Sequence, residues 1–234
     1  MRRLILFDID GTLLSTDGAA RRAFHAALLK VYGTTGPIAT HSFDGKTDPQ
    51  IARELLTLAG LPDAAIDSGL EALWRSYLRG LAAELAVPGH ETRLYPGVVT
   101  LLKQLQRDAD VCVALLTGNI AQGASLKLQS GGIDQFFRFG AFGSDCEQRS
   151  GLPAIAVERA RADTGRSFTG HQVVIIGDTP HDVTCGRALG VFTIAVATGR
   201  HSRESLLAAG ADVALADLAD TSKVIDLLSA RPEA

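Results

Sequence analysis

Four short apolar runs rich in β-branched residues, each followed by a turn signal and a helical pattern, constrain this chain more than any other feature. They fall at residues 4–9, 111–116, 173–176 and 191–196, with a weaker fifth at 211–215. A strand that is apolar on both faces has to be covered on both, which is the habit of a buried parallel sheet. Between the runs lie amphipathic segments, such as the stripe of Val98, Leu101, Leu102 and Leu105. Strand and helix in alternation predict an α/β fold, a doubly wound, Rossmann-like parallel sheet.

Residues 15–91 break the alternation. They hold no convincing strand but three helical patterns, at 19–30, 48–59 and 63–86, the second opening on Asp48 as N-cap and Pro49 at its first position. The reading is an all-helical domain, 15–91, inserted after the first strand into a core made of residues 1–14 and 92–234. The Pro-Gly pairs at 88–89 and 96–97 mark the return.

At 234 residues with 46% hydrophobic and 21% charged residues, the chain can bury a sizeable core. A net charge of −3 argues against a nucleic-acid partner, which calls for a basic surplus. No apolar run reaches membrane-spanning length, and Asp8 and Asp10 interrupt the apolar stretch behind Met1-Arg2-Arg3, so a signal segment is not expected. Three cysteines without a CxxC pair predict neither a disulfide framework nor a zinc knuckle, and Cys112, inside an apolar run, reads as a small hydrophobe. The expectation is a soluble, cytoplasmic protein that binds no membrane.

The acids fall at strand ends. The first run closes on Asp8-Ile9-Asp10, and carboxylates two apart on a strand share a face. The third closes on Gly177-Asp178 with Asp182 beyond it, and the second on Thr117-Gly118-Asn119. Ligands of open α/β sheets bind at these carboxyl ends, so Asp8, Asp10, Asp178 and Asp182 would converge on one crevice. Converging carboxylates raise one another's pKa unless a cation sits among them, and an all-oxygen donor set suits Mg²⁺. Mg²⁺ beside a free carboxylate points to phosphoryl transfer through an aspartyl-phosphate.

Asp8-Ile9-Asp10-Gly11-Thr12-Leu13, Leu115-Leu116-Thr117-Gly118-Asn119 and Gly177-Asp178-Thr179-Pro180-His181-Asp182, in that order, closely resemble the motifs of haloacid-dehalogenase-like hydrolases. The helical insertion resembles that family's type 1 cap, and Phe43-Asp44-Gly45-Lys46-Thr47-Asp48 is similar to the cap loop of phosphoglycolate-phosphatase-like and phosphomutase-like members. The resemblance implies Asp8 as nucleophile and Mg²⁺ ligand, and Asp10 as general acid and base whose backbone carbonyl also meets the metal. It implies Asp178 as the acidic metal ligand, Asp182 as support for a metal-bound water or a neighbouring group, and Thr117 with the Gly118 backbone on the phosphoryl group. Lys46 would reach the substrate, a small phosphorylated metabolite.

One motif departs from the pattern. The family places a Lys shortly before the fourth motif; no Lys lies between Lys127 and Lys223 here, so Arg149 is the substitute and Lys127 the reserve. Asp10 speaks against a dehalogenase, which needs no second acid, and against a phosphonatase that would use Lys46 or Lys30 as its amine. A sugar phosphomutase would keep the same core residues, and a non-enzymatic metal- or phosphate-binding protein would keep the fold. His181 reads as a surface neighbour of the site, and Trp74 and Tyr77 as packing residues of the insertion.

Overall fold

Five residues, Arg3–Phe7 (β1), form the centre of the sheet, and Leu4, Ile5, Leu6 and Phe7 have no exposure at all. The structure, a computed structural model, describes residues 2–230. In chain order its other elements are β2 (Leu14–Ser15), α1 (Ala19–Tyr32), α2 (Asp48–Leu58), α3 (Asp63–Leu85), β3 (Arg93–Leu94), α4 (Val98–Leu105), β4 (Val111–Thr117) and α5 (Ala121–Ser130). Then follow β5 (Gly140–Phe142), α6 (Leu152–Thr164), β6 (Val173–Gly177), α7 (Pro180–Cys185), β7 (Phe192–Val196), α8 (Arg203–Ala208), β8 (Val213–Leu215) and α9 (Thr221–Ser229).

The sheet order is β5-β4-β1-β6-β7-β8, every pairing parallel. Alternation along β1 explains why its run is apolar throughout. Ile5 and Phe7 pack with Val98, Leu101 and Leu105 of α4 and Val224 of α9, while Leu4 and Leu6 pack on the other face with Leu152, Ala156 and Ala160 of α6. The chain runs outward through β4 and β5, then crosses back to lay β6 on the free side of β1. Ligand crevices form at such a reversal, beyond the strands' carboxyl ends. The fold is the doubly wound α/β sheet that the alternation of runs predicts.

Helices α1, α2 and α3 bury a core of their own, built on Phe24, Leu28, Leu55, Leu73, Tyr77 and Leu81. Both connections to the sheet pass through the antiparallel pair β2–β3, where Leu14 lies opposite Leu94 and Ser15 opposite Arg93. Trp74 and Tyr77 pack in this helical core, Tyr77 buried and Trp74 at its margin.

Several local expectations need correction. β1 ends at Phe7, not at residue 9, because the Ile9 carbonyl accepts turn hydrogen bonds from the N–H groups of Thr12, Leu13 and Leu14. Thr47, not Asp48, caps α2: its hydroxyl oxygen accepts from the Gln50 N–H, and Asp48 is the first helical residue. β5 escapes the sequence pattern because Gly-Ala-Phe is three residues without a β-branched side chain. Cys112 is only partly buried, leaning on the α6 side of the sheet. Among the described residues, no helix is long and apolar enough to cross a membrane.

Candidate active site

Beyond Phe7 the chain turns within a few residues, and this turn puts Asp8 and Asp10 into one cavity. Gly11 makes the turn possible. Its φ is +85°, and a Cβ there would stand 2.2 Å from an Asp178 oxygen. Only glycine tolerates both demands. The Asp8 N–H donates to the Ile176 carbonyl at 3.0 Å, carrying the β1–β6 ladder one step into the site.

Three of the four predicted acids meet: Asp8, Asp178 and Asp182 are buried, each with an oxygen within 4.8 Å of the others. Arg149 stands among them. Its Nη2 donates to Asp8 Oδ1 at 3.1 Å and to Asp182 Oδ1, and its Nε–H is buried without a hydrogen-bond partner among the described residues. The guanidinium also lies against the Cys185 thiol of α7. Burial, followed by repulsion from Asp182 and Asp10, pushes the Asp8 carboxyl up to about 7 against the opposing pull of Arg149. Burial and the charges of Asp182 and Asp8 push Asp178 up to about 9.

Asp182 has little left to offer a metal. One oxygen takes Arg149; the other accepts from the Thr179 N–H at 3.0 Å and hydroxyl at 2.6 Å in the capping box of α7. Asp8 and Asp178 each keep one oxygen without a protein donor among the described residues, since Thr12 takes only Asp178 Oδ1, at 3.0 Å. Two free carboxylate oxygens at a site short of positive charge fit a hard cation such as Mg²⁺.

Asp10 does not join this cluster. Its carboxylate faces Lys127, whose Nζ lies 2.8 and 2.6 Å from the two oxygens, and Asn119 Nδ2 donates to it at 2.8 Å. Asn119 in turn accepts from Lys127 at 2.6 Å and donates to Thr117 Oγ1 at 2.8 Å. Thr117 is fully buried and lines the cavity; with its oxygen accepting from Asn119, its own O–H is free to donate. Sequence reasoning kept Lys127 only in reserve and gave Asn119 no task. The signal was present: Lys127 occupies the buried stripe of α5 with Ala124 and Leu128, an unusual place for an unpaired lysine.

The helical insertion closes the other side of the cavity, which measures about 340 Å³. Its loop meets the core at Gly118, where a Cβ would lie 2.1 Å from the Lys46 carbonyl oxygen. The Asp48 N–H donates to the Gly118 carbonyl at 2.7 Å, and Asp48 Oδ2 accepts from the Ile120 N–H at 2.9 Å. Burial pushes the Asp48 carboxyl up to about 6, with Lys127 opposing. Lys46 lines the cavity too, but its Nζ is 2.5 Å from Glu54 Oε2, a partner within the insertion. His181 is exposed on α7 and its ring enters none of these pairs.

The haloacid dehalogenase-like hydrolase family model matches residues 5–196, which include the three motifs and the insertion. A phosphoglycolate phosphatase of Pseudomonas syringae pv. syringae is 28% identical over 211 residues, covering 86% of this chain and 72% of the relative. Among solved structures, a hydrolase from Pseudomonas syringae superposes with a TM-score of 0.72 at 19% identity, covering 98% of this chain and all of the other. CbbY from Rhodobacter sphaeroides in complex with phosphate gives 0.66 at 21% identity, covering 94% of this chain and 96% of that one. At such identities the two structures speak for the fold, while the family match spans most of the chain. The chain belongs to the haloacid dehalogenase-like hydrolases.

Proposed function

We propose that this hydrolase is a phosphatase that cleaves small phosphate monoesters through an aspartyl-phosphate on Asp8. The observation that carries the reading is Asp8 itself: a buried carboxylate with one oxygen held by Arg149 at 3.1 Å and the other without a donor, at the mouth of the sheet. A fixed, desolvated nucleophile is what attack on phosphorus needs. The relative named phosphoglycolate phosphatase supports the same reaction class.

In the first step an Asp8 oxygen forms a bond to phosphorus as the ester P–O bond breaks, and Asp10 gives its proton to the departing alcohol oxygen. In the second, water attacks the phosphorus of the aspartyl-phosphate, Asp10 takes the water's proton, and Asp8 is released with inorganic phosphate. Lys127 and Asn119 hold the Asp10 carboxyl at the cavity wall during both steps. The Thr117 hydroxyl, the Gly118 backbone and the Arg149 guanidinium, all lining the cavity, are the donors for the phosphoryl oxygens. Asp8 and Asp178, with the Asp10 backbone carbonyl, would hold Mg²⁺, which supplies positive charge against the phosphoryl group and the nucleophile. We assign the insertion, residues 15–91, the part of a cap whose loop at Lys46 and Asp48 limits water and shapes the leaving-group pocket.

The test is hydrolysis of p-nitrophenyl phosphate by the wild type and by Asp8→Asn, with Mg²⁺ and with chelator. The expected result is turnover that requires Mg²⁺ and falls by about a thousandfold or more in the variant. Comparable turnover in a folded Asp8→Asn protein would remove the mechanism.

A further inference from the structure

Tyr77 is 1% exposed as a residue, and its hydroxyl makes no hydrogen bond to the protein among the described residues, its oxygen being open to the cavity rather than sealed in the core. Its ring packs edge-on against Phe24, at 5.4 Å between centroids and 83° between planes, inside the core of the insertion. It also lines the cavity that holds Asp8. A buried phenol ordinarily finds a partner. Asp48 poses the same question from the next helix: Oδ2 accepts from Ile120, and Oδ1 has no donor among the described residues.

The rest of this wall is apolar, from Phe24, Phe43 and Ile51. Three cations line it, each with a partner of its own. Lys46 is paired with Glu54, Arg200 stands 4.0 Å from Asp44, and Arg21 donates to the Ile38 and His41 carbonyls with its guanidinium 4.3 Å from the centre of the Phe43 ring. A carboxylate on the leaving group would therefore enter opposite the Asp48 carboxylate and two aromatic rings. A hydroxyl would find both an acceptor in Asp48 Oδ1 and a donor or acceptor in Tyr77 Oη. The cavity, about 340 Å³, lies at the lower end of the range that encloses whole small-molecule ligands, more than a two-carbon acid fills.

We propose that Tyr77 and Asp48 are the specificity-determining contacts for the leaving group, selecting a phosphate ester of an uncharged, hydroxyl-bearing alcohol over one that carries a carboxylate. The inference rests on the phosphatase reading. It parts from the name of the relative at 28% identity, whose named substrate is a hydroxy-acid phosphate.

The experiment measures binding to the full-length Asp8→Asn protein in Mg²⁺, by calorimetry, of three esters: glycerol 3-phosphate, propyl phosphate and 2-phosphoglycolate. Glycerol 3-phosphate is expected to bind at least about tenfold tighter than either of the others, because buried polar groups left unpaired penalise the analogue without hydroxyls. Adding Tyr77→Phe, which removes only the hydroxyl, should shrink the gap to propyl phosphate to about threefold or less. Adding Asp48→Asn should narrow the gap to 2-phosphoglycolate, since the repelling charge is gone. Equal or tighter binding of 2-phosphoglycolate, or ratios that neither substitution moves, would overturn the assignment. Wild-type turnover of p-nitrophenyl phosphate judges the parent reading separately. Turnover there without a glycerol phosphate preference overturns the specificity assignment alone, and no turnover of any ester overturns both.

Discussion

Asp8 and Asp10 stand two residues apart, and each is paired with a buried cation, but the two pairs occupy unlike surroundings. The Asp8 side chain is 8% exposed and its partner Arg149 5%; Asp10 is 46% exposed against Lys127 at 4%. Arg149 also answers Asp182, so a single guanidinium holds two buried carboxylates, whereas Lys127 serves one acid that can turn to water. The dry pair suits a nucleophile, which must keep its place and shed its hydration before attack. The half-wet pair suits a proton carrier, which must exchange with an alcohol and then with water. One Asp-x-Asp segment thereby supplies both kinds of carboxylate, because Asp8 still makes the last ladder bond to Ile176 whereas Asp10 lies in the turn beyond it.

This contrast can be broken by removing each cation. Arg149→Met strands Asp8 and Asp182 in the interior and should cost about 3–5 kcal/mol in chemical denaturation. Lys127→Met leaves the half-exposed Asp10 and the Asn119 amide oxygen without their donor and should cost about 1–2 kcal/mol, less than the loss of Arg149. Equal losses would mean that the two environments do not differ as described. Lys127→Met should still lower turnover of an aryl phosphate by about tenfold to a hundredfold, through a misplaced Asp10.

The dry cluster also makes a prediction about pH. Asp8 and Asp178 stand at about 7 and about 9, both above the ordinary carboxylate value. The folded state thus binds more protons than the unfolded one, so metal-free stability should decline as pH rises from about 4 towards 9. Mg²⁺ relieves the repulsion only where the carboxylates are ionised. The rise in Tm on adding Mg²⁺ should therefore be greater at pH 8.5 than at pH 5.5, and Asp178→Asn should abolish most of it. An equal rise at both values would contradict the clustering. The smallest effect belongs to the insertion: Thr47→Ala removes the cap of α2 and a 2.6 Å bond from its hydroxyl to the Glu147 carbonyl. It should cost about 1 kcal/mol by the same denaturation measurement.

What could be read in advance follows from how local each signal is. β1, β4 and β6 were legible because both of their faces are covered, which leaves long apolar runs. The meeting of Asp8 with Asp178 follows from two acids at the ends of neighbouring strands, and the recruitment of Arg149 from a charge missing elsewhere. The exposure of Asp10 was not legible, since it depends on the turn after Phe7 rather than on strand alternation. The Asp10–Lys127 pair spans 117 positions and the Asp48–Ile120 bond spans 72, joining segments that nothing in their own composition connects. Asp48 in particular presents as a helix cap in sequence, because the residue that takes that place, Thr47, is an equally good one.

The central claim is a covalent bond between phosphorus and Asp8, and it can be trapped. A ³²P-labelled monoester that the protein turns over is mixed with enzyme in Mg²⁺, quenched in acid within one turnover, and the digested peptides are separated. Label should appear on the peptide containing Asp8 and vanish in Asp8→Asn; with an aryl ester, whose leaving group needs no proton from Asp10, it should accumulate in Asp10→Asn, where the second step lacks its base. Steady turnover with no label on protein, or with label on any other residue, would contradict the account.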